Sequence, residues 1–138
     1  MTADLAVADV LRGARPPGVY PAPADLDLTG VLAAGWRVAV LDGRAITEAA
    51  ELLGACAAAW QFPPWYGHNF DALADCLVDL SWLPAPGYLL HWRHAELLAA
   101  AAPVDYATAC QVFRTAAARR AAGQLPPLYV LLAGTDPE

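Results

Sequence analysis

The sequence predicts an α/β fold in which a small three-stranded parallel sheet is packed with helices, after an irregular N-terminal extension. Three short apolar runs alternate with helical segments along the chain. These runs lack the strict alternation of a strand with one face in water, so both faces of the sheet are expected to be covered. The length of 138 residues and the hydrophobic content of 58% suit one domain with a single core.

Each predicted strand is bounded by residues that favour turns. The first strand covers residues 37–41 and ends at Asp42-Gly43, a pair typical of tight turns. The second covers residues 88–92 and follows a connection rich in proline and glycine. The third covers residues 128–132 and is preceded by prolines. Strands separated by helical segments in this way are typical of a parallel sheet.

Four helices are predicted to cover the sheet, because apolar residues recur at helical spacing between turn signals. The predicted helices run over residues 47–60, 70 to about 79, 94–102 and 104–122. Asn69 is the predicted N-cap of the second helix, and Gly123 is the predicted C-cap of the last.

Residues 1–35 form the predicted N-terminal extension, and residues 36–138 form the main domain. Prolines interrupt the extension, which is expected to contain a short helix, a proline-rich crossing and a second short helix over residues 28–34. Asp4 and Asp9 lie where a secretory signal would be uncharged, and no stretch has the roughly 18 apolar residues of a membrane span. The expected location is therefore the cytoplasm, with no membrane contact.

The net charge and the cysteines limit the classes of partner and cofactor. A net charge of −6 and a pI near 4.8 argue against nucleic acid or an anionic membrane as the direct partner, since both attract positive surfaces. Cys56, Cys76 and Cys110 have no metal-ligand spacing and cannot all pair, which suits reduced thiols. No cofactor or metal is expected, and Cys76 is expected to be a small core residue.

The most informative segment is residues 62–77, where a proline-rich aromatic turn runs into a helix with regularly spaced acids. Asp71, Asp75 and Asp79 recur every four residues, so they lie on one helix face about a turn apart. We call these three residues the acidic row. Apolar residues fill the opposite face, and no Lys or Arg occurs in residues 45–92. A single aspartate would be ordinary solvated surface, but the aligned set beside exposed aromatic residues predicts a surface that binds a basic partner.

The helix dipole affects the two ends of the acidic row differently. Asp71 lies in the first turn, where the dipole stabilises a negative charge. Asp79 lies near the end of the helix, where the dipole disfavours an anion. The sequence therefore predicts an uncompensated charge at Asp79 that costs some helix stability.

One segment of the chain resembles a signature of the barstar family, the intracellular protein inhibitors of secreted bacterial ribonucleases. The family pattern is aromatic-Tyr-Gly-x-Asn-x-Asp-Ala-Leu-x-Asp-Cys-Leu, and the chain has Trp65-Tyr66-Gly67-His68-Asn69-Phe70-Asp71-Ala72-Leu73-Ala74-Asp75-Cys76-Leu77. Residues 90–93 resemble the second strand of the family, and residues 111–114 resemble the start of its last helix. The resemblance runs from Trp36 to the C-terminus and leaves out the first 35 residues.

This resemblance implies a barstar-like fold and a stoichiometric inhibitor, an immunity protein, rather than an enzyme. The implied partner is a small basic extracellular ribonuclease, bound one to one by a protein that is monomeric when free. The acidic helix would mimic RNA phosphates: Asp75 would enter the phosphate site, Asp71 would pair with a flanking Arg, and Trp65 would pack on the catalytic His. The implied partner-binding residues are Trp65, Tyr66, Gly67, His68, Asn69, Asp71, Ala74, Asp75, Val78, Asp79, Thr115 and Arg119.

Several departures from the family pattern bear on which enzyme is bound. Ala74 stands where the family's prototype has a tryptophan, and Trp65 stands where it has a tyrosine. Thr115 and Arg119 stand where the last helix of the prototype carries acids, and Arg120 follows. These changes predict a ribonuclease with a different, less basic rim.

Two other functions remain open from the sequence. The chain could be a barstar-fold adaptor or immunity module that binds another basic toxin or protein. It could also be a hydrolase built on His68 and the aspartates. The sequence contains no glycine-rich phosphate loop, Gly-x-Ser-x-Gly or His-Glu-x-x-His motif. His91 and His94 are not expected to share a face as metal ligands, because one is placed in a strand and the other opens a helix.

Overall fold

Four parallel strands form a single sheet in the computed structural model of the protein, which describes residues 7–23 and 25–134. The strands are β1 (Val19–Pro21), β2 (Arg37–Asp42), β3 (Tyr88–Arg93) and β4 (Leu128–Ala133). Their order across the sheet is β1-β4-β3-β2. The helices are α1 (Val7–Arg12), α2 (Thr29–Ala33), α3 (Ala49–Ala59), α4 (Phe70–Asp79), α5 (Glu96–Ala101) and α6 (Pro103–Ala122), with a short 3-10 helix at Gly43–Ala45.

The three strands predicted from the sequence are confirmed as β2, β3 and β4, and each extends one residue further. β3 is central: Leu90 lies in register with Ala39 of β2 and with Val130 of β4. The predicted turn after β2 begins the 3-10 helix, where the Asp42 carboxylate accepts a hydrogen bond from the Arg44 N–H at 3.0 Å. The α/β class and the parallel arrangement are therefore as predicted.

The predicted number of strands is wrong, because the proline-rich crossing supplies β1 as a fourth strand. β1 pairs with β4 and places Val19 beside Val130. The Val130 N–H donates to the Gly18 carbonyl at 2.9 Å, and the Ala22 N–H donates to the Leu132 carbonyl at 3.1 Å. β1 is a three-residue edge strand, and an edge tolerates proline because the missing N–H leaves no ladder bond unmade. So short a strand has no periodicity that a sequence can reveal.

Helices α3 to α6 cover one face of the sheet and enclose the larger part of the core. Trp92 of β3 is fully buried, and its ring centroid lies 5.7 Å from that of Tyr106 and 6.2 Å from that of Phe113 on α6. Leu73 and Leu77 bring α4 into the same cluster. Because α4 also packs against α6, its leucine face is buried and its opposite face is left to solvent.

The described part of the N-terminal extension, called the N-terminal segment below, covers the second face of the sheet. Val10 of α1 and Val31 of α2 are buried in a cluster with Leu89, Tyr129 and Leu131, which point away from the α3-to-α6 side. The hydroxyl of Tyr129 donates to a backbone carbonyl of the same segment at 2.6 Å. The segment that looks irregular in the sequence thus shields apolar side chains of β3 and β4 from water.

The boundaries of two helices differ slightly from the predicted ones. α3 begins at Ala49 rather than at Thr47. The N–H and hydroxyl of Thr47 instead donate to the Glu51 carboxylate, at 2.9 and 3.2 Å. α5 begins at Glu96, because His94 has a φ of 53° and so lies outside the helical region.

The longest helix, α6, has 20 residues. It begins with Pro103, whose fixed φ and missing N–H suit the first turn of a helix. It ends at Ala122, and Gly123 is its C-cap, as predicted. Across the described ranges, neither α6 nor any other helix has the length and apolar content needed to cross a lipid bilayer.

We expect the N-terminal segment to unfold together with the sheet. Val31→Ala removes two buried methyl groups, so the free energy of unfolding should fall by about 2 kcal/mol. The matched control is the neighbouring Leu32→Ala, whose side chain is 57% exposed and whose effect should stay below about 0.5 kcal/mol. Urea unfolding followed by tryptophan fluorescence measures both. Equal midpoints for Val31→Ala and wild type would mean that the segment detaches before the sheet unfolds.

His91 is a buried histidine near the middle of the sheet. It is 3% exposed and lies in register between Val40 of β2 and Leu131 of β4. Its Nε2 has no hydrogen-bond partner among the described residues. Burial lowers the pKa of His91, and the charge of Arg93 lowers it further. The imidazole is therefore neutral in the folded protein at neutral pH.

We expect His91 to make the folded state acid-sensitive. In the unfolded chain its imidazole takes up a proton below about pH 6.5, whereas the buried imidazole does so only at lower pH. The free energy of unfolding should therefore fall as the pH drops from about 7.5 to about 5.5, with a His91 contribution of up to about 1.4 kcal/mol. Comparison with His91→Leu by urea unfolding at both pH values isolates this contribution. The same pH dependence in both proteins would show that His91 is protonated equally easily when folded.

Candidate protein-binding surface

The start of α4 is fixed by one asparagine, as the sequence predicts. The side-chain oxygen of Asn69 accepts a hydrogen bond from the Ala72 N–H at 2.7 Å, which satisfies one of the free donors at the helix end. Its side-chain nitrogen donates to the Gly67 carbonyl at 3.4 Å. Asn69 therefore links the aromatic turn to the first turn of the helix.

The acidic row lies on the solvent side of α4. Asp71, Asp75 and Asp79 are all exposed, while Leu73 and Leu77 on the other side are fully buried. Within the described part of the chain, the salt bridges found involve other acids. The amphipathic helix predicted from the spacing is thus confirmed, and its exposed face carries three carboxylates that form no salt bridge with the described residues.

The two aromatic neighbours in the turn before α4 point in different directions. Trp65 is 66% exposed, whereas Tyr66 is 6% exposed. The Tyr66 hydroxyl donates to the Leu53 carbonyl of α3 at 3.2 Å, and its ring centroid lies 4.8 Å from that of Phe62. Tyr66 holds the turn against the core, and Trp65 is the aromatic side chain that the turn presents to solvent.

Gly67 and His68 complete the tight approach to the helix. A Cβ atom on Gly67 would lie 3.2 Å from the side-chain nitrogen of Asn69, so a larger residue would push the capping side chain aside. His68 is exposed and has a φ of 52°, a left-handed conformation that is uncommon for residues other than glycine. Its ring centroid lies 4.6 Å from that of Tyr66. No salt bridge joins His68 to Asp71 among the described residues.

The remaining predicted site residues lie on α4 and α6. Ala74 and Val78 are half-buried, between the acidic row and the core. Thr115 and Arg119 are exposed and four residues apart on α6, so they share one side of that helix. The Gln111 side-chain amide donates to the Thr115 hydroxyl at 3.2 Å. α6 packs against α4, which brings the two helices of the predicted surface together.

Arg120, next to Arg119, has a structural role that the sequence does not single out. It is 1% exposed rather than part of the surface. Its Nη1 lies 3.3 Å from the Leu77 carbonyl oxygen, 2.8 Å from that of Val78 and 3.3 Å from that of Asp79. All three carbonyls belong to the last turn of α4, whose acceptors have no partner within the helix. Arg120 therefore caps the C-terminal end of the acidic helix from a neighbouring helix.

The capping by Arg120 corrects the prediction that the charge of Asp79 is uncompensated. A cation at the C-terminus of a helix interacts favourably with the helix dipole and with nearby anions. Burial lowers the pKa of Arg120, and the neighbouring Tyr88 and Asp79 offset only part of this shift. The Asp79 carboxylate also accepts a hydrogen bond from the Ser81 N–H at 3.3 Å. A spacing signal for this residue exists in the sequence, since Phe113, Ala116 and Arg120 follow the i, i+3, i+7 pattern of a buried stripe.

The cysteines and histidines do not converge on a reactive centre within the described residues. Cys56 and Cys76 are fully buried, which confirms Cys76 as a core residue. Burial raises the pKa of Cys56 to about 12 and also raises that of Cys76, so both thiols stay protonated. His91 lies inside the sheet and His94 lies beyond the end of β3. No group of three or more His, Cys, Asp or Glu residues is placed to hold a metal ion in the described part of the chain.

Comparison with known proteins identifies the family of the chain. A family model described as Barstar (barnase inhibitor) matches residues 36–133, which include the aromatic turn, α4, α6 and the strands β2 to β4. A search of curated proteins gave no match. Since the family model covers most of its length, the chain belongs to the Barstar family.

Proposed function

We propose that this protein is a stoichiometric inhibitor of a small, basic, secreted bacterial ribonuclease, and that it acts as an immunity protein in the cytoplasm of the producing cell. One observation carries the proposal: three carboxylates that form no salt bridge with the described residues lie on the exposed face of a helix anchored at both ends, in the segment that the Barstar family model covers. We also propose a one-to-one complex, a free protein that is monomeric, and no catalytic activity of its own.

The proposed mechanism is mimicry of the RNA backbone. A ribonuclease active site carries cationic side chains that bind phosphates, and carboxylates can satisfy those same cations through charge-assisted hydrogen bonds. Asp71, Asp75 and Asp79 present such acceptors about one helical turn apart. They contain no scissile bond, so the enzyme is occupied without turnover. In this arrangement Asp75, the central residue, enters the phosphate site and Asp71 pairs with a cation at its edge.

The aromatic turn has two tasks in the proposed complex. Trp65 is the exposed side chain that packs on the enzyme, because a large exposed aromatic residue is typical of binding hot spots. Tyr66 acts indirectly, because its side chain is buried and hydrogen-bonded to α3. Residues 67–69 offer backbone groups to the partner. The small side chains of Ala74 and Val78 lie beside the acidic row and leave room for the partner.

The exposed Arg119 of α6 points to the type of enzyme that is bound. Arg119 is exposed on the helix that packs against α4 and would repel a strongly basic rim. We propose a ribonuclease whose rim is neutral or acidic at the position facing Arg119. The same feature keeps open a second candidate, an immunity module on the same fold that binds a different basic toxin through the acidic row. Residues 36–138 would form the binding domain in either case, with residues 1–35 as an extension.

Inhibition of a purified ribonuclease tests the proposal directly. Asp75→Ala should weaken binding most, by about 2 to 5 kcal/mol, because truncation leaves buried cations of the enzyme unpaired; this range rests partly on barnase and barstar themselves. Asp71→Ala should weaken binding less, and Asp79→Ala least, since Asp79 lies at the end of the row. Inhibition constants measured with an RNA substrate, for barnase and for basic ribonucleases captured from the source medium, give the ranking.

The matched control for this series is Asp25→Ala. Asp25 is exposed and lies outside the residues that the family model matches. Each of the four substitutions removes one carboxylate, so all four variants have the same net charge. Its inhibition constant should equal that of the wild type. If Asp79→Ala were the weakest inhibitor, the proposed position of Asp75 in the phosphate site would be wrong. Ribonuclease binding unchanged by all three row substitutions would remove α4 from the interface.

A double substitution on α6 tests which rim the target presents. Thr115→Glu with Arg119→Glu changes the local charge by three units, so association with barnase should become faster at low salt. Folding should change little because both side chains are exposed. Stopped-flow association rates at low and at physiological ionic strength, where charges are screened beyond about 8 Å, measure the effect. Equal rates for both proteins would place Thr115 and Arg119 outside the interface.

A further inference from the structure

A single buried cation joins the end of the acidic helix to three other parts of the fold. The guanidinium of Arg120 donates to carbonyl oxygens in the last turn of α4, as described above, and its Nε donates to the Pro126 carbonyl at 3.0 Å. Its carbon Cζ lies 4.7 Å from the centre of the Tyr88 ring on β3. One side chain of α6 thus fixes α4, the connection before β4 and the central strand relative to each other.

The partners of Arg120 are unusual for a buried charge. Among the described residues, no carboxylate forms a salt bridge with its guanidinium. Its charge is instead stabilised by backbone carbonyls, by the face of an aromatic ring and by the negative end of the α4 dipole. Arginine can do this because its planar group carries five N–H donors in a fixed fork, which lysine does not.

We propose that Arg120 is a positioning residue for the acidic row, which it holds in the geometry that the ribonuclease recognises. The inference rests on the function proposed above. The carbonyls bound by Arg120 belong to Leu77, Val78 and Asp79, in the turn that follows Asp75 and carries Asp79. Without the cap this turn would fray, and the like charges of the row would favour a looser spacing.

The position of Arg120 predicts which rate constant changes. The row itself stays intact in an Arg120 variant, so the exposed charges that attract a basic partner are still present. Association should therefore be as fast as in the wild type, or slightly faster because one positive charge is lost. Dissociation should be faster, because a row that is not held in place must be ordered at the moment of binding.

Two variants and one control test this with barnase as the probe. Arg120→Lys keeps the charge but loses the fork, and its dissociation rate should rise about threefold; Arg120→Met loses both, and its rate should rise about tenfold. The control is Arg114→Met, which removes an exposed positive charge from the same helix and should change dissociation by less than about twofold. Surface plasmon resonance of the folded proteins measures both rate constants. If Arg120→Met fails to fold, Arg120→Lys decides.

A dissociation rate equal to that of the wild type in Arg120→Lys and in any folded Arg120→Met, despite lower stability, would overturn the proposal and leave Arg120 a purely structural residue. Hydrogen exchange separates this failure from a failure of the proposed function. The amides of residues 76–80 should exchange faster in Arg120→Lys than in the wild type, while those of β3 stay protected. If the wild type does not bind barnase, barnase is not a target of this protein. Hydrogen exchange at residues 76–80 that is equal in Arg120→Lys and the wild type would then still overturn the proposed positioning by Arg120.

Discussion

The acidic row can exist because its helix is held from outside the row. Three aspartates of the same sign at successive turns repel each other, and the last lies at the end of the helix that disfavours anions. The structure supplies compensation at both ends. Asn69 caps the N-terminus, and Arg120 binds the carbonyls of the last turn. Between these anchors, buried leucines fix the rotation of α4 about its axis. None of these contacts uses the aspartate side chains of the exposed face, so the residues that stabilise α4 differ from the residues proposed to bind.

The same separation appears in the aromatic turn. Tyr66 and Trp65 are adjacent, yet one is bonded to the Leu53 carbonyl in the core and the other lies mostly in water. An exposed tryptophan keeps a large apolar surface in contact with water, so it contributes little to the stability of the fold. An anchored turn of this kind presents an aromatic ring, a residue type enriched in binding hot spots, next to acids that can pair with a basic partner. Tyr66 matters for such an interface because it fixes the turn from below.

Local features of this fold could be predicted from the sequence, and long-range ones could not. The helical spacing of the aspartates, the asparagine cap and the apolar runs of β2 to β4 involve neighbouring residues, and the structure agrees with each of them. β1 was missed because it is only three residues long and its partner, Val130, lies near the other end of the chain. Arg120 is not singled out by the sequence, because charged residues usually lie on the surface. Its spacing from Phe113 and Ala116 places it on the buried side of α6, but the carbonyls that it binds lie 41 to 43 positions earlier, and no local pattern identifies them.

Arg119 and Arg120 show why a count of charges does not describe a binding surface. Both contribute to the net charge of −6, and both therefore weaken the long-range attraction for a basic partner. At contact distance they differ, because Arg119 is exposed and Arg120 donates to carbonyls inside the fold. A partner that docks on α4 meets three carboxylates and no cation from Arg120. The cation instead favours the helical geometry in which those carboxylates are spaced. A positive charge that lowers the net acidity of the chain thus binds the end of the helix that carries the acidic row.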